Sequence, residues 1–221
     1  MVDGELSISI AEREAAAATG LGPLGRGFSK VWDAASSPAI VELHRIIRLA
    51  CDLTIVIENC TQGRWLRPIP EMIDQRNYVQ HSLMSLPTSQ DLIDRGVDIC
   101  DPYYDSCRLA TIIYSFLLIF PVPPVSGPFE TLTLQLRREL ETMSLENKDC
   151  PRPEMHLWIL VMGAIASLGL PARPWFLSRA MALSDTLDLH EWQDLKRVLE
   201  SFLWHYSTSD VDGVEVWECN M

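Results

Sequence analysis

Residues Tyr104 to Pro124 read Y-D-S-C-R-L-A-T-I-I-Y-S-F-L-L-I-F-P-V-P-P. Asp101 just ahead is suited to cap a helix, and Pro102 suits a first helical position. Asp101, Asp105, Arg108, Thr111 and Ser115 then fall on one face. Beyond Thr111 only Ser115 and the Tyr114 hydroxyl interrupt the apolar surface before Pro121. A helix that is polar along one stripe at its start and apolar all round at its end belongs deep in a helical core. The prolines that follow remove backbone donors and forbid further helix.

Helical patterns flank this stretch on both sides. Ile40, Leu43, Ile47, Ala50 and Ile57 recur at three- and four-residue steps, so a long helix is predicted from Ser37 and Pro38 to about Cys60. Pro70 to Leu86 reads as another helix, with Met72, Ile73, Val79, Leu83 and Leu86 apolar. P-T-S-Q-D reads as a polar loop, and D-L-I-D as a turn of helix. A helix from Pro128 carries Phe129, Leu132, Leu136, Leu140 and Met143 on one side. The segment 154–168 is apolar and holds Gly163, Ala164 and Ala166, small residues that admit a close neighbour; it is placed at the centre. Pro174 opens a helix to Leu187. Asp188 and Glu191 have capping-box spacing for a last long helix bearing Trp192, Leu195, Leu199, Phe202 and Tyr206. The remainder, S-T-S-D-V-D-G-V-E-V-W-E, reads as an acidic, turn-forming tail.

At the N-terminus, residues 7–19 read as a short amphipathic helix, with Ser9 and Glu12 at capping-box spacing, and Gly20 to Ser29 as a glycine-rich connector. The expected fold is all-α, a single multi-helix globular domain of about seven or eight helices. Residues 1–34 form the N-terminal helix and connector, and residues 35–221 the helical domain with its acidic tail. Val214 and Val216 alternate, but one short segment makes no sheet, and no repeat of constant length points to a solenoid.

Totals narrow the function classes. The chain has 221 residues, 48% apolar and 22% charged, with a formal net charge of −12. Its lysines are Lys30, Lys148 and Lys196, and no basic cluster offers a phosphate footprint or an import signal. Direct nucleic-acid binding is therefore not expected. The N-terminus, M-V-D-G-E-L-S-I-S-I, has no apolar signal core, so an intracellular protein, nuclear or cytoplasmic, is expected. Ile112 to Phe120 and Met155 to Leu170 fall short of the about 20 apolar residues of a membrane span.

Chemical motifs are sparse. G-L-G-P-L-G matches a dinucleotide fingerprint by letter, but an alanine-rich helix rather than a strand precedes it and Pro23 sits inside. D-V-D-G-V-E resembles a calcium loop, yet Thr208 and Cys219 would occupy the first and last ligand positions, where Asp and Glu belong. The cysteines, at 51, 60, 100, 107, 150 and 219, form no C-x-x-C pair and read as free, mostly buried thiols. His44, His81, His156, His190 and His205 fit no H-E-x-x-H, and G-x-S-x-G and P-loop patterns are absent. His156 reads as a hydrogen-bonded core residue. No catalytic residue, metal ligand or cofactor is assigned, and a non-enzymatic protein is expected. Trp158 and Trp192 read as core. Trp175, in R-P-W-F, and Trp217 lie near polar loops and are open to a binding role.

Five segments carry a resemblance: Y-D-S-C-R-L-A-T-I-I-Y-S at 104–115, F-P-V-P-P at 120–124, W-I-L-V-M-G-A-I-A-S at 158–167, R-P-W-F at 173–176 and L-K-R-V-L-E-S-F-L-W at 195–204. In this order and spacing they resemble the C-terminal regulatory domain of fungal-specific transcription factors, over about residues 35–218. The resemblance implies an all-helical regulatory domain that responds to a ligand or contacts partners, in control of a metabolic or secondary-metabolite pathway. The six-cysteine zinc cluster and basic linker that usually precede that domain are absent here. The expected partners are a full-length regulator, a second copy of the chain, or a small-molecule effector. The other reading is a small-molecule-binding or accessory protein of a fungal biosynthetic pathway, with no role in transcription.

Overall fold

A computed structural model describes residues 24–32, 37–64, 68–97, 99, 101–123, 127–146 and 150–218. These form ten α-helices and no strand. In chain order they are α1 (Arg26–Trp32), α2 (Pro38–Thr61), α3 (Ile69–Met84), α4 (Ser89–Asp94), α5 (Tyr104–Tyr114), α6 (Gly127–Glu146), α7 (Pro153–Ala166), α8 (Arg173–Thr186), α9 (Trp192–Glu200) and α10 (Tyr206–Glu218), with a π-helical segment at Ser115–Ile119 directly after α5. The all-α expectation holds; the expected number of helices was low. The helix expected at 7–19 lies outside the described residues.

The central place expected for the apolar segment falls to α7. It packs against α1, α5, α6, α8, α9 and α10. All its residues from Leu157 to Ala166 are buried, as an all-round apolar helix requires. Gly163 permits the closest of these contacts: a Cβ there would come within 2.3 Å of the Phe176 ring on α8. The Trp158 indole donates to the Leu203 carbonyl at 2.9 Å and stacks on Phe202, and Phe28 of α1 meets both rings edge-on.

Three expectations need correction. Arg26–Trp32 is helix rather than connector. Gly25 turns the chain at φ +79°, and Phe28 and Trp32, one helical turn apart, are both buried. The last long helix stops short of Tyr206, and the tail expected to be turn-forming is helix. α9 ends at Glu200, the chain turns through Ser201–His205, and Tyr206 opens α10, so the D-V-D-G-V-E stretch is helical. The turn brings Phe202, Leu203, Trp204 and His205 all into the interior, which one continuous helix face could not do. Asp188 and Glu191 form no capping box. Asp188 sits at φ 58° with its carboxylate on His190, and Glu191 precedes α9 without a side-chain cap.

Capping occurs elsewhere. Thr88 and Asp91 make a reciprocal capping box at the start of α4, inside the stretch that reads as a polar loop. Asp105, from α5, accepts from the Ser89 backbone N–H at 3.0 Å and so closes the same helix start from across the fold. A buried pair, His205 Nε2 and Glu58 Oε2 at 2.7 Å, ties the turn before α10 to α2.

Candidate functional site: the groove at the end of α5

The stretch Tyr104–Pro124 begins as the sequence implies, with a buried polar stripe. Each member of the stripe has a partner. Asp101 accepts from the Trp32 indole at 2.8 Å, from the Tyr103 N–H at 2.9 Å, and from Arg152 Nη1 at 2.8 and 2.6 Å. Asp105 holds Arg108 at 3.2 Å as well as Ser89. The Thr111 and Ser115 hydroxyls return to the backbone carbonyls of Cys107 and Ile112. Thr54 on α2 donates to the Ala50 carbonyl, leaving its oxygen to accept from the buried Tyr114 hydroxyl at 2.8 Å. α5 itself begins at Tyr104, with Asp101 and Pro102 in the turn before it.

One more constellation gathers beside Asp101. The Tyr103 hydroxyl lies 3.2 Å from Cys150 Sγ and 3.3 Å from His156 Nδ1, with the Arg152 guanidinium 5.6 Å from the Tyr103 ring centre. Burial, helped by the Arg179 charge, pushes the His156 imidazole down to about 4. Burial pushes the Tyr103 phenol far above its ordinary range. A weakly basic imidazole behind a phenol that holds its proton is a poor general base for Cys150. The arrangement is a hydrogen-bonded lock; His156 is hydrogen-bonded as expected but half-buried rather than in the core.

The other end of the stretch behaves differently. After Tyr114 the helix widens: the Phe120 N–H bonds the Ser115 carbonyl at 2.7 Å, five residues back, and the Val122 N–H bonds the Phe116 carbonyl at 2.9 Å. Pro121 has no N–H to offer, so its neighbours on either side close the final turn. A π-turn inserts residues without a matching rotation and re-aims the side chains that follow; such turns concentrate at functional sites. Here Phe116 turns toward Phe129 of α6, while Leu118, Ile119 and Pro121 turn toward α2 and α3.

An apolar groove of about 310 Å³ opens between them. Its walls are Leu53 and Ile57 from α2, Ile69, Met72 and Ile73 from α3, and Leu118, Ile119 and Pro121. Among the described residues the one charged side chain in this lining is Arg76. Its guanidinium carbon stands 4.7 Å from the centre of the Phe120 ring. Arg76 Nε is shielded from solvent and has no hydrogen-bond partner. Gln75 Oε1 and Gln80 Oε1, on the same helix, are shielded and unpartnered too. Buried polar atoms are normally satisfied; of these three, Arg76 alone is in the groove lining.

α3 as a whole is thinly covered. Of its apolar residues only Val79 and Leu83 are buried. Ile69 is 71% exposed, Met84 55% and Ile73 41%, with Phe120 at 41% beside them. The sequence reading groups Met72 and Ile73 with Val79, Leu83 and Leu86; instead Met72 and Ile73 line the groove. Arg76 carries no sequence expectation. The available signal was its position, one turn beyond Met72 and Ile73 on an otherwise apolar stripe.

The tryptophans open to a binding role lie elsewhere. Trp175 is half-buried, edge-on to Phe176 at 5.0 Å, with Arg137 and Arg179 at 5.3 and 5.4 Å. Trp217 is half-buried against the core. Trp158 is in the core as expected, whereas Trp192 is half-buried beside Trp204. Cys51 and Cys107 are buried, Cys60 is half-buried and Cys150 exposed, all four as free thiols. No group of metal-ligating side chains comes together among the described residues, and none of their helices is long and apolar enough to cross a membrane. Comparison with protein-family models, with curated proteins and with solved structures finds no match.

Proposed function

We propose that this chain is a non-enzymatic regulatory domain in transcription control, similar to those of fungal zinc-cluster regulators, and that it works through the groove between α2, α3 and the π-turn. The observation that carries the reading is α3 itself: exposed apolar side chains together with shielded, unpartnered polar atoms on one helix. Such a face is incomplete until covered. The five segments resembling the fungal regulatory domain supply the biological setting, control of a metabolic or secondary-metabolite pathway from the nucleus or cytoplasm. With no basic patch to hold phosphate, the chain acts on promoters through a full-length regulator or a second copy of itself.

The test is a reporter assay in a host carrying the full-length regulator, paired with affinity capture. Capture of that regulator, with a change in reporter output that Ile69→Asp on α3 abolishes, supports the proposal. No capture and no reporter effect overturn it. The size of the groove favours a second reading, a small-molecule-binding accessory protein of a biosynthetic pathway. About 310 Å³ is at the lower end of the range for small-ligand sites. That reading predicts ligand binding with an indifferent reporter.

A further inference from the structure

We infer that the groove between α2, α3 and the π-turn is a binding site for a small apolar acid, its hydrocarbon body along Leu53, Ile57, Met72 and Leu118 and its carboxylate on Arg76. The inference rests on the groove being the working surface, and it names the occupant.

The walls are aliphatic on all three sides and the volume suits one small molecule rather than a peptide helix. A body that fills such a site must be apolar, since every polar atom it placed against Leu53, Ile57 or Leu118 would lose its water without replacement. Charge decides the other end. Among the described residues the lining offers a single ionised group, a cation, and no carboxylate. The chain carries a net charge of −12, so a cation in the lining without an anion is against the prevailing charge of the molecule. Its Nε donor is withdrawn from solvent and unpaired. The guanidinium carbon lies over the Phe120 ring at 4.7 Å, a cation–π contact that uses none of its hydrogen-bond donors. A planar fork of donors matches a carboxylate better than a hydroxyl or an amine. Apolar body and acid head together describe the ligand class: alkanoic or arylalkanoic acids of modest length.

The experiment is calorimetric titration of the full chain with octanoate, octanol and octylamine, which share one body and differ in the head. Octanoate is expected to bind at one site per chain, roughly tenfold or more tighter than octanol, with octylamine weakest. Arg76→Ala should remove the advantage of octanoate while leaving octanol unchanged. Ile73→Glu tests the site while keeping Arg76 in the chain. Ile73 is 41% exposed and one turn before Arg76, so the new carboxylate occupies the guanidinium and octanoate binding is lost while the far-ultraviolet circular dichroism stays the same. Equal binding of octanoate and octanol, or an octanoate affinity indifferent to both substitutions, overturns the proposal. So does sedimentation showing a dimer that Ile73→Glu dissolves in a chain that binds no octanoate, since the occupant is then a second copy. The regulatory reading fails separately. Octanoate binding as predicted with a silent reporter leaves the site standing and removes the role; partner capture that survives Arg76→Ala, with no octanoate binding, does the reverse.

Discussion

The two ends of the stretch Tyr104–Pro121 make opposite use of polar chemistry. At the start, Asp101, Asp105, Thr111 and Tyr114 are buried or nearly so, and each is matched by a partner from another helix or from its own backbone. At the finish the backbone widens into a π-turn, and the facing helix keeps Gln75, Arg76 and Gln80 with atoms shielded and unmatched. A satisfied network fixes one packing arrangement; an unsatisfied face is free to be completed by a ligand. The first end is the part that holds the fold together, and the second is the part available for work.

Substitutions at the two ends should therefore differ in kind. The largest effect is expected for Asp101→Ala, which strands Arg152 and the Trp32 indole at once. A loss of about 3 kcal/mol in unfolding free energy is expected, read from the midpoint of a urea curve. An effect below about 1 kcal/mol would show that this end is no more fixed than the groove.

Next comes pH. The folded His156 imidazole sits at about 4, below its ordinary value of 6.5. Between those values the unfolded chain binds the extra proton, so stability falls as pH drops from about 6.5 to about 4 and changes no further below that on this account. The expected loss is roughly 3 kcal/mol at most. His205, also lowered by burial, acts in the same direction, so His156→Gln flattens the curve by its own share only. A curve unchanged by that substitution counts against the lock around Tyr103.

Thr54→Val removes the acceptor for the buried Tyr114 hydroxyl and should cost about 1–2 kcal/mol. Adding Tyr114→Phe should recover part of it, because the stranded hydroxyl goes too. The smallest effect is expected at the groove. Ile69→Ser, at a side chain 71% exposed, should move the thermal midpoint by no more than about 0.5 kcal/mol corresponds to. A large loss there would mean that α3 is part of the structural core after all.

How far the sequence reveals this molecule follows the same division. The central helix was readable because Leu157 to Ala166 are apolar without interruption, and α2 because Ile40, Leu43, Ile47 and Ala50 keep strict step. The polar stripe along α5 was readable too, since five polar positions on one face, Asp101 to Ser115, require partners when buried. The identities of those partners were not, because Ser89, Trp32 and Arg152 are far away in sequence. The break between α9 and α10 was hidden by an apolar spacing that runs on through Leu199, Phe202 and Tyr206 as though one helix continued. The groove was hidden for a related reason. Periodicity reports that Met72 and Ile73 are apolar and aligned, and is silent on whether a neighbour covers them. The π-turn that shapes the opposite wall depends on how Phe120 and Val122 find carbonyls around Pro121, a matter of backbone donors that side-chain patterns do not record.

The pairing of α1 with the turn after α9 bears on how the chain is made. Gly25 and Gly27 donate their N–H groups to the carbonyls of Phe202 and Ser201, at 3.0 and 2.7 Å, and a Cβ on Gly27 would meet the Phe202 ring at 2.6 Å. Nearly the full described length separates the two partners. During synthesis α1 therefore emerges long before part of the surface that receives it, and Phe28 lacks the Phe202 side of its cover until the turn at 201–205 leaves the ribosome. Contacts of such long sequence separation are late and slow to form. A nascent chain halted before Ser201 should be open to proteases at Arg26–Trp32, and one released past Trp204 should be closed.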